Sequence, residues 1–225
     1  MPTIRAVVFD LDDTLYPERA FVQSGFRAVS SYLREHRIVH NDVYPLLWQK
    51  FSDGVRGTIF NEVLCELIGE ADDRLIRTLV FIYRTHMPDI RLYPDALPVL
   101  YWCTQRYKTG LLSDGSAYMQ QNKIIALGIR SFFNAVMLTD TLGREYWKPH
   151  VAGYQKLSDA LGVPPQACLY VGDNAEKDFI GAKKSGWFTV HVRRPDGIYT
   201  LIPESEDKRA DVCIESLEKL EKVLI

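Results

Sequence analysis

The residues best suited to chemistry stand where apolar runs stop. Val7-Val8-Phe9 gives way to Asp10-Leu11-Asp12-Asp13-Thr14, and Leu111-Leu112 gives way to Ser113-Asp114-Gly115. Tyr170-Val171 gives way to Gly172-Asp173-Asn174, with Asp178 shortly beyond, and Lys148 stands directly before Pro149 where a helical pattern begins. Converging carboxylates repel one another and raise each other's pKa unless a cation offsets them. A hard divalent ion with oxygen ligands does so, and Mg2+ suits one or two carboxylates plus a substrate phosphate. A lysine adds a compact positive charge suited to phosphate. Ser113 and the amides of the turn after it can donate hydrogen bonds to an oxyanion. A single Asp at a strand end is ordinarily a cap or turn former, and that reading stays open for Asp13 and Asp114. Asp10 and Asp12 differ, because they follow a wholly apolar run and alternate strand residues point the same way.

The elements that must position these groups are legible as short apolar runs. Ile4–Phe9, Thr109–Leu112, Ala135–Leu138, Cys168–Val171, Phe188–Val192 and Val212–Ile214 fit strands, the first of them apolar enough to be buried on both faces. Segments of helical length and period lie between most of them: Asp95–Tyr107, Ser116–Leu127, Val151–Leu161 and Glu176–Lys184. Strands alternating with helices predict an α/β fold, an open parallel sheet with helices on both faces and right-handed crossovers. Ligands then bind outside the carboxyl ends of the strands, where the acids stand. From Glu18 to Pro88 no strand pattern is present. Arg19–Glu35, Asn61–Ile68 and Asp72–Tyr83 read as helices, with Asn61 and Asp72 as N-caps, and Pro88 and Pro94 punctuate the exit. The interval between Asp10 and Ser113 is far longer than a βα crossover needs, whereas those from Ser113 to Lys148 and from Lys148 to Asp173 leave no such room. The expected organisation is a core of residues 1–15 and 93–225 with a small α-helical insertion, residues 16–92. Pro195–Arg209 is polar and turn-rich and is expected to be a surface loop or hairpin.

Composition narrows the classes. The chain has 225 residues, 47% hydrophobic and 25% charged, with 27 Lys and Arg against 29 Asp and Glu for a net charge of −2. This balance gives no general electrostatic reason to bind a nucleic acid polymer or an anionic membrane surface. No run of about 18 apolar residues suggests a membrane span. The N-terminus meets Asp10 before any apolar run long enough for a signal peptide, so the chain reads as cytoplasmic. Cys65, Cys103, Cys168 and Cys213 form no Cys-x-x-Cys pair and read as buried free thiols rather than zinc ligands or a disulfide framework. The five histidines read as surface or satisfied core. Arg91, Arg193 and Arg194 read as surface charges. Tyr16, Trp48 and Trp147 read as packing, with Tyr16 also placed to line the cleft.

Taken in order, these residues match a pattern. Asp10-Leu11-Asp12-Asp13-Thr14 resembles the first motif of the haloacid dehalogenase-like (HAD) hydrolase superfamily, and Leu111-Leu112-Ser113-Asp114 its second. Lys148-Pro149 resembles the third. Tyr170-Val171-Gly172-Asp173 with Asp178, Gly181-Ala182 and Ser185-Gly186 resembles the fourth. The ordered set spans positions 10 to 186; Asp13 departs from the Gly that many members carry, which bears on subgroup only. The resemblance implies a Rossmann-like core with a helical cap inserted after the first motif. It implies a hydrolase acting on a small phosphorylated metabolite; monomer and homodimer both stay open. Asp10 would be the nucleophile and Asp12 the general acid and base, a role favouring a raised Asp12 pKa. Mg2+ would be held by the Asp10 carboxylate, the Asp12 backbone carbonyl and Asp173, with Asp178 a ligand or its supporting partner. Ser113 and Lys148 would hold the transferring phosphoryl group.

Within the superfamily, an acid at position 12 argues for phosphoryl transfer over carbon–halogen cleavage, and the missing Thr and membrane helices argue against an ATPase pump. A sugar-phosphate mutase, or a catalytically silent binding protein, is the alternative. Asp114 and Gly115 are substrate-side candidates in the second motif. Arg56, in the turn Gly54-Val55-Arg56-Gly57 of the insertion, is a candidate to approach the substrate's non-reacting end, with a solvated loop arginine as the other reading. Leu15-Tyr16 after the first motif loosely resembles nucleotidase-like members, so nucleoside monophosphates stand beside sugar and organic-acid phosphates as expected substrates.

Overall fold

The computed structural model describes residues 3–199 and 205–225. By their contacts the residues fall into two compact units, Met1–Arg19 with Ile90–Ile225, and Ala20–Asp89.

The first unit is an α/β sandwich around six strands: β1 (Ala6–Phe9), β2 (Lys108–Ser113), β3 (Ala135–Leu138), β4 (Cys168–Gly172), β5 (Phe188–Val192) and β6 (Val212–Ile214). The sheet order is β3-β2-β1-β4-β5-β6 and every pairing is parallel. All four residues of β1 are fully buried, which requires helices on both faces of the sheet. On one face Ala6, Val8, Leu112 and Tyr170 pack with Tyr154, Leu157, Phe179 and Trp187. β1 lies between β2 and β4, with Phe9 level with Leu111 on one side and Val171 on the other. The chain leaves β1 in opposite directions through β2 and β4, so this is the switch point of a doubly wound sheet, where the strand ends open a crevice.

The second unit is helical. Helix α1 (Glu18–Glu35) opens in the first unit and continues into the second, followed by α2 (Tyr44–Ser52), α3 (Ile59–Ile68) and α4 (Asp73–Thr85). Its interior is aromatic: Phe26 meets Phe51, Phe60 and Tyr83 with ring centroids 5.8–6.2 Å apart. Asp72 caps α4 as expected, accepting from the Arg74 amide at 2.9 Å. Asn61 is not a cap: α3 begins two residues earlier, behind Thr58. Helix α2 is an element the sequence pattern did not reveal. The first unit continues with α5 (Ala96–Thr104), α6 (Ala117–Leu127), α7 (Ala152–Leu161), α8 (Asp178–Lys184) and α9 (Leu220–Leu224). No helix among the described residues is long and apolar enough to cross a membrane. Of the turn-rich stretch 195–209, residues 200–204 lie outside the described residues, and Glu206–Lys208 forms a single 3-10 turn.

Two surface readings are corrected. Arg194 is not a surface charge: it is buried, forks onto both oxygens of Asp95 at 2.7 and 2.9 Å, and donates to the Thr14 carbonyl. A buried guanidinium needs such a bidentate partner, and Asp95 sits at the start of α5 to supply it. Cys103 and Cys168 are buried free thiols, but Cys65 and Cys213 are exposed.

Candidate active site

The edge formed by β1, β2 and β4 gathers the groups singled out above, all within the first unit. Asp10 follows β1 directly, its amide donating to Val171 of β4 at 2.8 Å. Ser113 ends β2 and Asp173 follows β4. Asp178 opens α8, and Lys148 lies in the loop before α7. Asp10, Asp12, Asp114, Gly115, Asp173, Asn174 and Lys177 line one cavity of about 170 Å3, together with Glu18, Met119, Lys123, Trp147 and Tyr199.

Lys148 is the electrostatic centre of the floor. Its side chain is wholly buried, and its Nζ lies 2.7 Å from Asp10 Oδ1, 2.7 Å from Asp178 Oδ1 and 2.9 Å from the Tyr170 hydroxyl. Burial pulls its pKa down, but Asp10 and Asp178 outweigh burial and push it well above the usual lysine value. Asp114 holds this lysine from behind: its Oδ1 accepts from the Thr139 hydroxyl at 2.6 Å and from the Lys148 amide at 3.1 Å. Asp114 therefore does positioning work at one oxygen, while its other oxygen lies 3.5 Å from Lys177 Nζ. Asp13 is a turn former, accepting from the amides of Glu18 and Ile198.

Asp10, Asp173 and Asp178 offer three buried carboxylate oxygens within 4.8 Å of one another. Burial pushes Asp10 up to about 7 against the pull of Lys148, with Asp178 adding to the rise. Burial, then Asp178 and Asp10, push Asp173 well above the ordinary value; its carboxylate accepts from the Thr14 hydroxyl at 3.2 Å. Lys148 thus bridges two of three crowded acids. An all-oxygen donor set with a surplus of buried negative charge fits a hard divalent cation such as Mg2+. Asp178 is the most committed of the three, since its Oδ2 also accepts from the Asn174 amide at 2.9 Å.

Asp12 departs from expectation. Burial, the strongest single influence, would raise its pKa, but the Lys123 ammonium and the hydrogen bonds from Lys123, Tyr16 and Gln120 together outweigh it and hold the carboxyl below the ordinary value. Lys123 and Gln120 come from α6 and Tyr16 from the turn after β1. None of the three was singled out for this contact, and Tyr16 is more than packing because its hydroxyl donates to Asp12. The available signal was α6 itself: Gln120 and Lys123 fall on the same helical stripe as Ile124, a polar interruption of a buried face. Lys177 and Glu18, both lining the cavity, carried no such signal.

Arg56 belongs to the second unit. Its guanidinium donates to the carbonyls of Phe51 and Val55 at 2.7 and 2.8 Å and lies over the Phe51 ring at 3.9 Å. His150 serves the start of α7, its Nδ1 accepting from the Ala152 amide at 3.1 Å, and His191 is a satisfied core residue bonded to the Asp173 carbonyl at 2.7 Å.

Comparison with known proteins agrees with this geometry. A glyceraldehyde 3-phosphate phosphatase of Methanopyrus kandleri is 31% identical over 96% of this chain and 95% of its own length. An N-acylneuraminate-9-phosphatase of Rattus norvegicus is 27% identical over 87% of this chain and 85% of its own. A solved HAD-superfamily hydrolase, subfamily IA, variant 1, from Geobacter sulfurreducens superimposes with a TM-score of 0.71 at 19% identity, covering 100% of this chain and 98% of that one. The family model for haloacid dehalogenase-like hydrolase matches residues 4–186, from the first strand through the strand ends after β1, β2 and β4 and the Lys148 loop, and the chain belongs to that family.

Proposed function

We propose that the chain is a Mg2+-dependent phosphatase that hydrolyses a small phosphate monoester through an aspartyl-phosphate on Asp10. The carrying observation is the Lys148 bridge between Asp10 and Asp178 at 2.7 Å each, behind an Asp10 that shares one cavity with Asp12. Asp10 is thereby held at the strand end with its carboxylate oriented and its charge balanced, as a nucleophile requires. An Asp10 oxygen forms the new bond to phosphorus and the bond from phosphorus to the ester oxygen breaks. Asp12 gives its proton to the departing alcohol oxygen. The incoming phosphoryl dianion itself raises the proton affinity of Asp12, which the surroundings otherwise hold ionised. Asp12 then takes a proton from the water that attacks phosphorus, and the Asp10–phosphorus bond breaks to restore the carboxylate. Ser113 and Lys148 steady the equatorial oxygens, where positioning and charge neutralisation dominate catalysis. Asp10, Asp173, the Asp12 carbonyl and Asp178 are the residues that would hold Mg2+, which when bound neutralises charge on the transferring group.

For the substrate, a three-carbon phosphate such as glyceraldehyde 3-phosphate is favoured over a nucleoside monophosphate. The names of the relatives support this, and so does a cavity of about 170 Å3 in the first unit. The second unit, Ala20–Asp89, is read as the cap that closes on substrate. The test is phosphate release from glyceraldehyde 3-phosphate, phosphoserine, AMP and p-nitrophenyl phosphate, with and without Mg2+. Glyceraldehyde 3-phosphate is expected to give the highest kcat/KM. Asp10→Asn is expected to lower kcat on the order of 10³-fold or more; a variant retaining full activity would remove the nucleophile and with it this reading.

A further inference from the structure

Helix α6 turns two polar side chains inward, three residues apart, and both are nearly inaccessible: Gln120 at 0% and Lys123 at 2%. Burying an amide and an ammonium is costly unless each finds partners. Both find Asp12. Lys123 Nζ lies 2.6 Å from Asp12 Oδ1, Gln120 Nε2 lies 2.8 Å from Oδ2, and the Tyr16 hydroxyl also donates to Oδ1. Both oxygens of the carboxylate are therefore held, from the helix after β2 and from the turn after β1. The same Gln120 Nε2 lies 2.6 Å from Ser113 Oγ, so one amide ties Asp12 to the hydroxyl at the end of β2. For packing alone, an apolar residue of similar volume would serve at either position.

Resting on the phosphatase reading above, we propose that Lys123 and Gln120 are positioning residues that act through Asp12. They fix its carboxyl relative to Ser113, so that its proton reaches the ester oxygen as the bond to phosphorus breaks. A displacement of about 1 Å at such a group costs on the order of 10²-fold in rate. The cost depends on the leaving group. An alkoxide cannot depart without a proton, whereas p-nitrophenolate departs without one, so loss of the tether separates the two classes of ester. A side chain that merely supports the fold lowers both alike.

The experiment uses the full chain with Mg2+ and compares kcat/KM for p-nitrophenyl phosphate with that for the alkyl monoester hydrolysed fastest in the panel above. Lys123→Met, which keeps the stem and removes the charge, is expected to lower kcat/KM about 100-fold on the alkyl ester and less than about fivefold on p-nitrophenyl phosphate. Gln120→Met is expected to split them in the same direction, about tenfold against little change. Equal losses on the two esters, or no loss, in a variant that melts like the parent overturns the proposal. If Lys123→Met does not fold, Gln120→Met decides by the same comparison. A parent protein that releases no phosphate from either ester, or an Asp10→Asn variant that still turns over, brings down the phosphatase reading instead. Activity in the parent with equal losses in the variants brings down only the tether.

Discussion

At the scale of single residues, Lys148 carries the most electrostatic weight. Its ammonium bonds both Asp10 and Asp178, and the Asp114 carboxylate pins its backbone. Replacing it by Met leaves two buried carboxylates without their counter-charge. The metal-free variant is expected to lose about 3 kcal/mol or more of stability in urea titrations. With Mg2+ present, kcat is expected to fall about 10²- to 10³-fold, since a preorganised donor to the phosphoryl oxygens is gone. The melting temperature of Lys148→Met is expected to rise more on adding Mg2+ than that of the parent, because the freed oxygens of Asp10 and Asp178 strengthen binding to the native state. An equal rise in both proteins counts against a shared metal and lysine site. Why Asp10, Ser113, Lys148 and Asp173 were legible in sequence while Lys123, Tyr16 and Arg194 were not has a physical reason. Asp10, Ser113 and Asp173 stand at strand ends and Lys148 directly before a proline at the entry to α7, where local pattern alone places them. The others act across 111, 4 and 99 positions of chain on partners chosen by tertiary packing. Tyr16, though close in sequence, reaches Asp12 only because the turn after β1 folds back.

At the scale of elements, the glycines of the fourth motif show how tightly the strand ends are drawn together. A Cβ on Gly181 of α8 would stand 2.4 Å from the Pro149 carbonyl oxygen and 2.6 Å from Tyr154. Helix α8 carries Asp178 and Pro149 follows Lys148, so this close approach seats Asp178 against its lysine. In an unobstructed helix Gly→Ala gains about 1 kcal/mol. Gly181→Ala is instead expected to cost about 1–3 kcal/mol, as overpacking does, and to lower kcat together with stability. A stabilised, fully active variant in paired melting and rate measurements contradicts the close approach. The β-branched and apolar runs located the six strands to within a residue or two, because a strand buried on both faces leaves an unbroken apolar signature. Helix α2 left none. It has nine residues, Pro at its second position, and only Leu47 and Phe51 buried, so its inward stripe is two residues wide and its amphipathic period is too short to read.

At the scale of the whole molecule, a net charge of −2 conceals a buried imbalance whose consequence is a pH-dependent stability. In the metal-free protein Asp10 is raised from 3.8 to about 7, Glu18 from 4.5 to about 7, and Asp173 well above its ordinary value, in each case chiefly by burial. The native state then binds protons more tightly than the unfolded chain. Such groups contribute stability that is complete below the unfolded pKa, near 4, and is lost as pH rises through about 7. His191 acts in the opposite sense, because burial lowers its pKa and its contribution falls away on acidification below about 6.5. Lys148 stays charged throughout this range and adds no slope. A divalent cation held by Asp10 and Asp173 would replace the protons there and bind only the folded arrangement. His191 works chiefly below about 6.5, so above that pH the difference between the two conditions reports the acid cluster. Urea midpoints measured from pH 5 to pH 8 without divalent ions are expected to decline toward pH 8. With millimolar Mg2+ the decline is expected to become shallower, Glu18 still contributing its share, so that the stabilisation by Mg2+ grows with pH. If the two profiles run parallel across this range, the crowded acids at the ends of β1 and β4 do not share a cation.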